Sequence, residues 1–245
     1  YNPPKPYKTG VINYNDYSLD ELMGYIDWTF FFHSWDISGK FPAIFSDPVK
    51  GKEARKIYDD ANTLLDEIIS KKLLHANGFV GIFPSNSQGD DIILYNDESR
   101  TSVLSTIPQL RNQEQKENNE QNLCLADFIA PLESKKSDWF GLFAVTAGLN
   151  ADELAKEYQD NGDDYSSLMT KVVADRLAEA FAELLHKKVR TKLWGYSPDE
   201  NLSTEEILHE KYKGIRPAPG YPACPDHRGK EFIFSLLNVT KESGI

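Results

Sequence analysis

Hydrophobic positions along this chain follow two different periods. Between residues 51 and 72, Ala54, Ile57, Tyr58, Ala61, Leu64, Leu65 and Ile68 recur every three or four places, which predicts an amphipathic helix. Val173, Leu177, Ala180, Phe181 and Leu184 repeat that spacing as the core stripe of the longest helix, from about residue 166 to 190. Helices are also predicted near 151–160 and around 204–212. Ser18 and Glu21 have capping-box spacing and open a short helix through Leu22 and Ile26. Continuous apolar runs mark strands instead. Residues 79–83 read as a short buried strand ending at Pro84, and 139–146 as another closed by Ala147 and Gly148. Gly89, Asp90 and Asp91 turn into Ile92, Ile93, Leu94 and Tyr95, the pattern of an antiparallel hairpin.

Polar positions divide these elements. Residues 112–122 are entirely polar and read as a solvated helix end plus loop, whereas 1–17 are rich in Pro, Asn and Tyr and read as a linker or lead-in strap. Strands that pair locally beside long helices predict an α+β fold over a doubly wound parallel sheet. Nothing in the composition breaks residues 18–245 into two domains, and no repeat is present.

Charge and cysteine usage narrow the function classes. The 245 residues carry 27 Lys and Arg against 38 Asp and Glu, a net charge of −11. That excess argues against a general nucleic-acid binder, which needs basic surface to neutralise phosphates. No run approaches the ~20 apolar residues of a membrane span. Cys124 and Cys224 are too few for a disulfide scaffold and match no zinc spacing, so a reducing cytoplasm is the expected compartment. The start lacks both Met and a signal-peptide core and reads as a piece cut from a longer protein. Dinucleotide, phosphate-loop, nucleophile-elbow and zinc-protease motifs are all missing from the sequence.

The least ordinary stretch is 214–227. Prolines at 217, 219, 222 and 225 forbid helix and sheet ladder alike, leaving a preset loop with little entropy to lose on binding. Arg216 can fork onto a carboxylate or phosphate, Gly220 permits close backbone approach, and Tyr221 offers a flat face with a hydroxyl. The structural alternative is a proline-stiffened connector whose arginine caps a neighbouring helix. Asp226 reads as a cap for the helix that follows, and one Cys beside one His does not make a metal site. Asp27 precedes the aromatic block 28–35 and is either a partly desolvated acceptor for a cationic group or a helix C-terminal residue in a surface turn. Glu179, with Asp175 and Glu183, lies on the acidic side of the long helix, a side shared with Leu168 and Val172. The residues by themselves define an α+β domain with a rigid, ligand-sized loop.

The run Arg216-Pro217-Ala218-Pro219-Gly220-Tyr221-Pro222-Ala223-Cys224-Pro225 closely resembles the signature of the C-terminal reactivation domain of cobalamin-dependent methionine synthase. The likeness continues through Tyr25-Ile26-Asp27-Trp28-Thr29, Gly89-Asp90-Asp91-Ile92, Cys124-Leu125-Ala126-Asp127-Phe128 and Phe143-Ala144-Val145-Thr146. It extends to Asp163-Asp164-Tyr165, Ala174-Asp175-Arg176-Leu177-Ala178-Glu179-Ala180-Phe181 and Trp194-Gly195-Tyr196. The resemblance implies a single helmet-like α+β domain with a central, mainly antiparallel sheet flanked by long helices.

It also implies an activity. Such a domain binds S-adenosylmethionine and presents the methyl group to inactive cob(II)alamin while a flavodoxin-like donor supplies an electron. Cobalamin itself is held mainly by another domain of the same protein, so this chain is part of a methyltransferase and not the complete enzyme. Carried over by motif, Asp27 and Arg216 address the amino and carboxylate ends of the ligand. Ala218, Gly220 and Tyr221 supply backbone and ring contacts, and Glu179 a further polar one. The family commonly has proline where this chain has Phe30, and its domain continues past Ile245 with an aromatic segment that also contacts the ligand. A basic docking patch for an acidic reductant is expected at Lys187, Lys188, Arg190 and Lys192. The rival readings are a stand-alone, non-catalytic S-adenosylmethionine-binding or docking module, and an unrelated hydrolase using Asp226 and His227.

Overall fold

The computed structural model describes residues 2–116 and 120–243, and its centre is one long strand. In chain order the elements are β1 (Gly10–Tyr14), α1 (Leu19–Met23), α2 (Trp28–His33), α3 (Gly51–Lys71), β2 (His75–Gln88), β3 (Asp91–Tyr95) and β4 (Val103–Pro108). They continue as β5 (Asp138–Leu149), α4 (Ala151–Asp160), α5 (Asp164–Lys188), α6 (Thr204–Leu208), α7 (Gly229–Leu237) and α8 (Val239–Ser243). Two stretches inside the segment read as a strap are tied down. Residues 10–14 pair with β2, and the Tyr7 and Lys8 amides donate to Trp194 and Leu193.

Every strand pairing is antiparallel. β5 runs along one edge of β2 from Ser85↔Asp138 to His75↔Leu149. The other edge is shared in sequence by β1, which ends at Ile82, and by β3, which begins at Ser85; β4 lies beyond β3. β2 therefore does not stop at Pro84, as its sequence suggests. Pro84 falls in the gap between two partners, where the lack of an N–H removes little from the ladder. Gln88↔Asp91 closes the predicted hairpin on two residues, with Gly89 at a φ of 59°, as a first turn position of positive φ requires.

Both faces of β2 are buried, which is why it reads as a continuous apolar run. Val80 and Ile82 join the larger core with the stripes of α3 and α5, while Phe79 and Phe83 join a second cluster with Ile92, Leu94, Leu142 and Leu237. One glycine serves each face. A methyl at Gly78 would lie 2.6 Å from the Phe181 ring, and one at Gly81 would lie 2.7 Å from Leu237.

Several local expectations need correction. Ser18 precedes α1, but its side chain makes no cap bond, and Glu21 accepts from the Tyr17 hydroxyl instead. No helix forms among the described residues of 112–122. Asn112 is buried there, with its amide donating to Leu123, beside Arg111, which donates to both Asp90 and Asp127. Glu117, Asn118 and Asn119 lie outside the described residues. Asp27 does not end a helix; it starts α2, accepting from the Thr29 and Phe30 amides at 2.9 and 3.2 Å. Asp226 accepts from the Arg228 amide at 2.9 Å, two residues on, and Arg228 occupies the cap position of α7.

The approach of Phe181 to Gly78 generates a stability prediction. Phe181→Ala is expected to lower unfolding free energy by roughly 3–5 kcal/mol, and Gly78→Ala by roughly 1–3 kcal/mol. Because the second cost is a clash with the ring the first removes, denaturant titration of the double variant should give less than the sum. Strict additivity would place the strain elsewhere.

Candidate functional site

The site is organised from the side of α5 that faces away from the sheet. Asp163 caps this helix through the Ser166 amide at 2.9 Å, and Val173, Leu177, Ala180, Phe181 and Leu184 are all buried on the core side. Glu183, His186 and Arg190, spaced i, i+3 and i+7, point at the segment that returns through residues 194–216. The helix ends in a π turn, Val189–Leu193.

Arg190 is 0% exposed, so its charge requires complete pairing. It donates from Nε and Nη2 to the two oxygens of Glu200, each at 2.6 Å, and from Nη1 to His186 Nδ1 at 2.7 Å. Its guanidinium lies 4.2 Å from the centre of the Tyr212 ring. Because arginine only donates, His186 accepts at Nδ1 and carries its proton on Nε2, which faces the Tyr196 hydroxyl at 3.5 Å. Burial, with Arg190 and Arg216 adjacent, pushes the imidazole down to about 3, so it is neutral at ordinary pH.

The same cluster holds Arg216. Its Nη2 donates to the Glu183 carboxylate, and its charge opposes the burial that raises the Tyr212 phenol. Burial raises the carboxyl of Glu183, opposed by the nearby Arg216 and Arg190 charges. Two atoms of this ion pair, Arg216 Nε and Glu183 Oε2, are buried without a partner. Nε lies on the same guanidinium edge as Nη2, so both unpartnered atoms belong to the face shared by Arg216 and Glu183, and Nη1 is turned away from it.

Beyond Arg216 the chain satisfies itself. The Tyr221 amide donates to Ala218, the Cys224 amide to Tyr221, and the Gly220 amide to Cys224, at 3.1, 2.9 and 2.9 Å. Gly220 has a φ of 106°, and a Cβ on it would lie 2.4 Å from the His227 ring, so only glycine fits this turn. The loop forms one wall of a cleft of about 860 Å³. Phe140 and Leu142 of β5 line it together with Leu110, Phe128 and Phe232.

The six candidate ligand residues divide into three pairs. Arg216 and Ala218 line the cleft. Gly220 and Tyr221 form the next turn of the loop, with Tyr221 63% exposed. Asp27 and Glu179 stand on neighbouring elements outside the cleft lining. The first caps α2, and the second pairs with Arg176 at 3.0 Å with its side chain 64% exposed. Sequence placed Glu183 only in the acidic side of the long helix and did not single out Tyr212, His186 or Glu200. The signal for Glu183 and His186 was the i, i+3, i+7 row they form with Arg190, hidden among other acidic and basic residues; Tyr212 and Glu200 had none.

The expected basic patch is not an open surface. Arg190 is buried, Lys187 donates to the Tyr25 hydroxyl at 3.3 Å, and Lys188 lies over the Tyr17 ring at 4.8 Å. Only Lys192 of the four is exposed. Cys124 and Cys224 are buried, and burial pushes both thiols up, away from nucleophilic reactivity. Among the described residues no cluster of His, Cys, Asp and Glu could hold a metal, and no helix is long and apolar enough to cross a membrane.

An antiparallel sheet backed by α5, with a proline-stiffened loop over one large cleft, defines an α+β domain whose polar focus is Arg216. Residues 18–245 match the family described as the activation domain of vitamin B12 dependent methionine synthase, and the chain belongs to that family. A solved structure, the crystal structure of the MetH reactivation domain bound to AdoHcy, is similar along 100% of this chain and 74% of its own. The two share 50% sequence identity with a TM-score of 0.95. The family and fold read from the loop signature are thereby borne out.

The neutral buried imidazole sets a pH dependence. Its folded pKa of about 3 lies below the ordinary 6.5, so the unfolded chain takes up a proton that the folded chain refuses. This contribution is intact above pH 6.5 and is lost as pH falls towards 3. Denaturation midpoints of the wild type should fall across that window, and more shallowly in His186→Gln, whose amide oxygen can still accept from Arg190. Parallel curves would mean that His186 does not carry the effect.

Proposed function

We propose that this chain binds S-adenosylmethionine beside residues 214–221 and holds its methyl group for transfer to inactive cob(II)alamin. In that reaction an external reductant supplies one electron, methylcobalamin is restored and S-adenosylhomocysteine is left. The observation that carries the reading is Arg216 in the cleft wall, at the head of the proline-stiffened loop, together with the AdoHcy held by a relative of 50% identity.

Each residue has a task that fits its chemistry. Arg216 meets the carboxylate of the amino-acid portion, where a charge-assisted bond gives orientation as well as affinity. Asp27 takes the ammonium group; both of its α2 amide bonds fall on Oδ1, which leaves Oδ2 to accept. Ala218 and Gly220 offer backbone at close range, Tyr221 an exposed aromatic face for adenine or sulfonium, and Glu179 a further polar contact. The apolar lining at Phe140 and Leu142 suits a ligand body without phosphate.

Methyl transfer from a sulfonium needs no general base, so the chain's contribution is placement of the departing methyl in line with its acceptor. The acceptor belongs to a cobalamin-binding domain of the same protein, and the electron to a flavodoxin-like donor in the cytoplasm. This assigns the chain to the reactivation of a methyltransferase and not to its main cycle.

Calorimetric titration with S-adenosylhomocysteine tests the reading. Binding by the wild type is expected, weakened roughly ten-fold or more in Arg216→Ala and in Asp27→Asn through loss of a charge-assisted bond. No binding by the wild type would overturn the function, and unchanged affinity in both variants would overturn the residue roles. A second expectation concerns turnover: the chain alone should not methylate homocysteine, as followed by methionine formation. Turnover without added cobalamin-binding domain would contradict the assignment.

A further inference from the structure

Arg216 does not hold its own position. The loop that carries it is stiff from residue 217 onward, but the guanidinium is set from behind, by groups on α5 and on the segment before the loop. Glu183 accepts from Nη2, and Tyr212 lies near enough for the Arg216 charge to oppose the rise that burial gives its phenol. Tyr212 is in turn fixed between Arg190, 4.2 Å from its ring centre, and His186, whose ring meets it edge-on at 4.8 Å. Glu183 is 13% exposed and Arg216 24%, so their attraction is only partly screened by solvent.

The pairing also decides which edge of the guanidinium remains available. Nη2 is held on Glu183 and the buried Nε shares that edge, so the side of the guanidinium left to a ligand is that of Nη1. We infer that Glu183 is the positioning residue that turns Arg216 towards the carboxylate of the amino-acid portion of the ligand. Glu183 confers selectivity for ligands that carry that portion. The inference rests on the proposed S-adenosyl site, and it adds a residue that the loop signature does not contain.

Two neutralising effects separate this role from general support of the fold. Without the Glu183 charge, Arg216 keeps its loop and its packing, but the side chain is free to rotate among solvent-facing rotamers. A ligand with a carboxylate then has to order the side chain as it binds. A ligand without one is indifferent.

The experiment compares S-adenosylhomocysteine with 5′-methylthioadenosine, which lacks the amino-acid portion, by calorimetry on the whole chain. In Glu183→Gln, affinity for S-adenosylhomocysteine should fall roughly ten-fold or more, while affinity for methylthioadenosine stays within about two-fold of wild type. Glu183→Asp should recover part of the loss. Equal weakening of both ligands would reduce Glu183 to a structural residue and overturn the inference, as would no weakening of either. Failure of the wild type to bind either compound would overturn the S-adenosyl reading itself, and the inference with it.

Discussion

A guanidinium with no exposed surface dictates the architecture behind the loop. Arg190 can remain charged inside the protein because each guanidinium nitrogen has an acceptor: Glu200 takes Nε and Nη2, His186 takes Nη1, and Tyr212 covers the face. Removing one partner of such a pair leaves an uncompensated charge, a penalty on the order of 3–5 kcal/mol. The segment from residue 194 to 212 is thus bound to the end of α5 far more strongly than its sparse secondary structure suggests. Arg216 inherits its place from that attachment, four residues beyond Tyr212. The π turn at Val189–Leu193 belongs to the same arrangement, since it carries Arg190 at the point where the helix gives way to the returning chain.

The sheet supplies the complementary constraint. β2 is covered on both faces, so α5 and α7 both have to come close, and Gly78 and Gly81 make that possible on opposite sides. Phe181 occupies the first of these openings, two residues before Glu183. A helix seated that deeply by its core side has little freedom to rotate, which fixes the direction of Glu183, His186 and Arg190 on its other side. Core packing and polar recognition are therefore two faces of one helix, read at the same 100° per residue.

Legibility in the sequence followed the range of the interactions. Periodic helices were clear, and α4 falls on the residues its pattern predicts, because the pattern and its burial are both local. Strand ends were not, since the run of β2 through Pro84 depends on where β1 stops and β3 begins. Capping signals show the limit well. Ser203 and Glu206 close a capping box, whereas Ser18 and Glu21, with the same spacing, do not, because a neighbouring tyrosine hydroxyl engages Glu21. Arg190 looked like one of four basic residues at a helix end, and nothing near it marked Glu200, ten residues on, as its partner. The loop at 214–227 was legible because its prolines act locally. The groups that aim its arginine were not, because they come from another element.

The acid excess takes on meaning only beside this cluster. A net charge of −11 surrounds a cleft whose charged lining is balanced, Lys213, Arg216 and Arg228 against Asp138, Asp226 and Glu231, with Arg216 also held by Glu183. Phosphate-bearing ligands meet a repulsive field outside and no surplus of positive charge within. A sulfonium amino acid carries one net positive charge, with its single carboxylate available for Arg216. Screening over about 8 Å at physiological salt confines the contest to groups close to the cleft, where Glu183 and Glu179 lie on one helix and Asp27 on the next. Such a balance favours cationic and zwitterionic ligands over anionic nucleotides without any clash built against the latter.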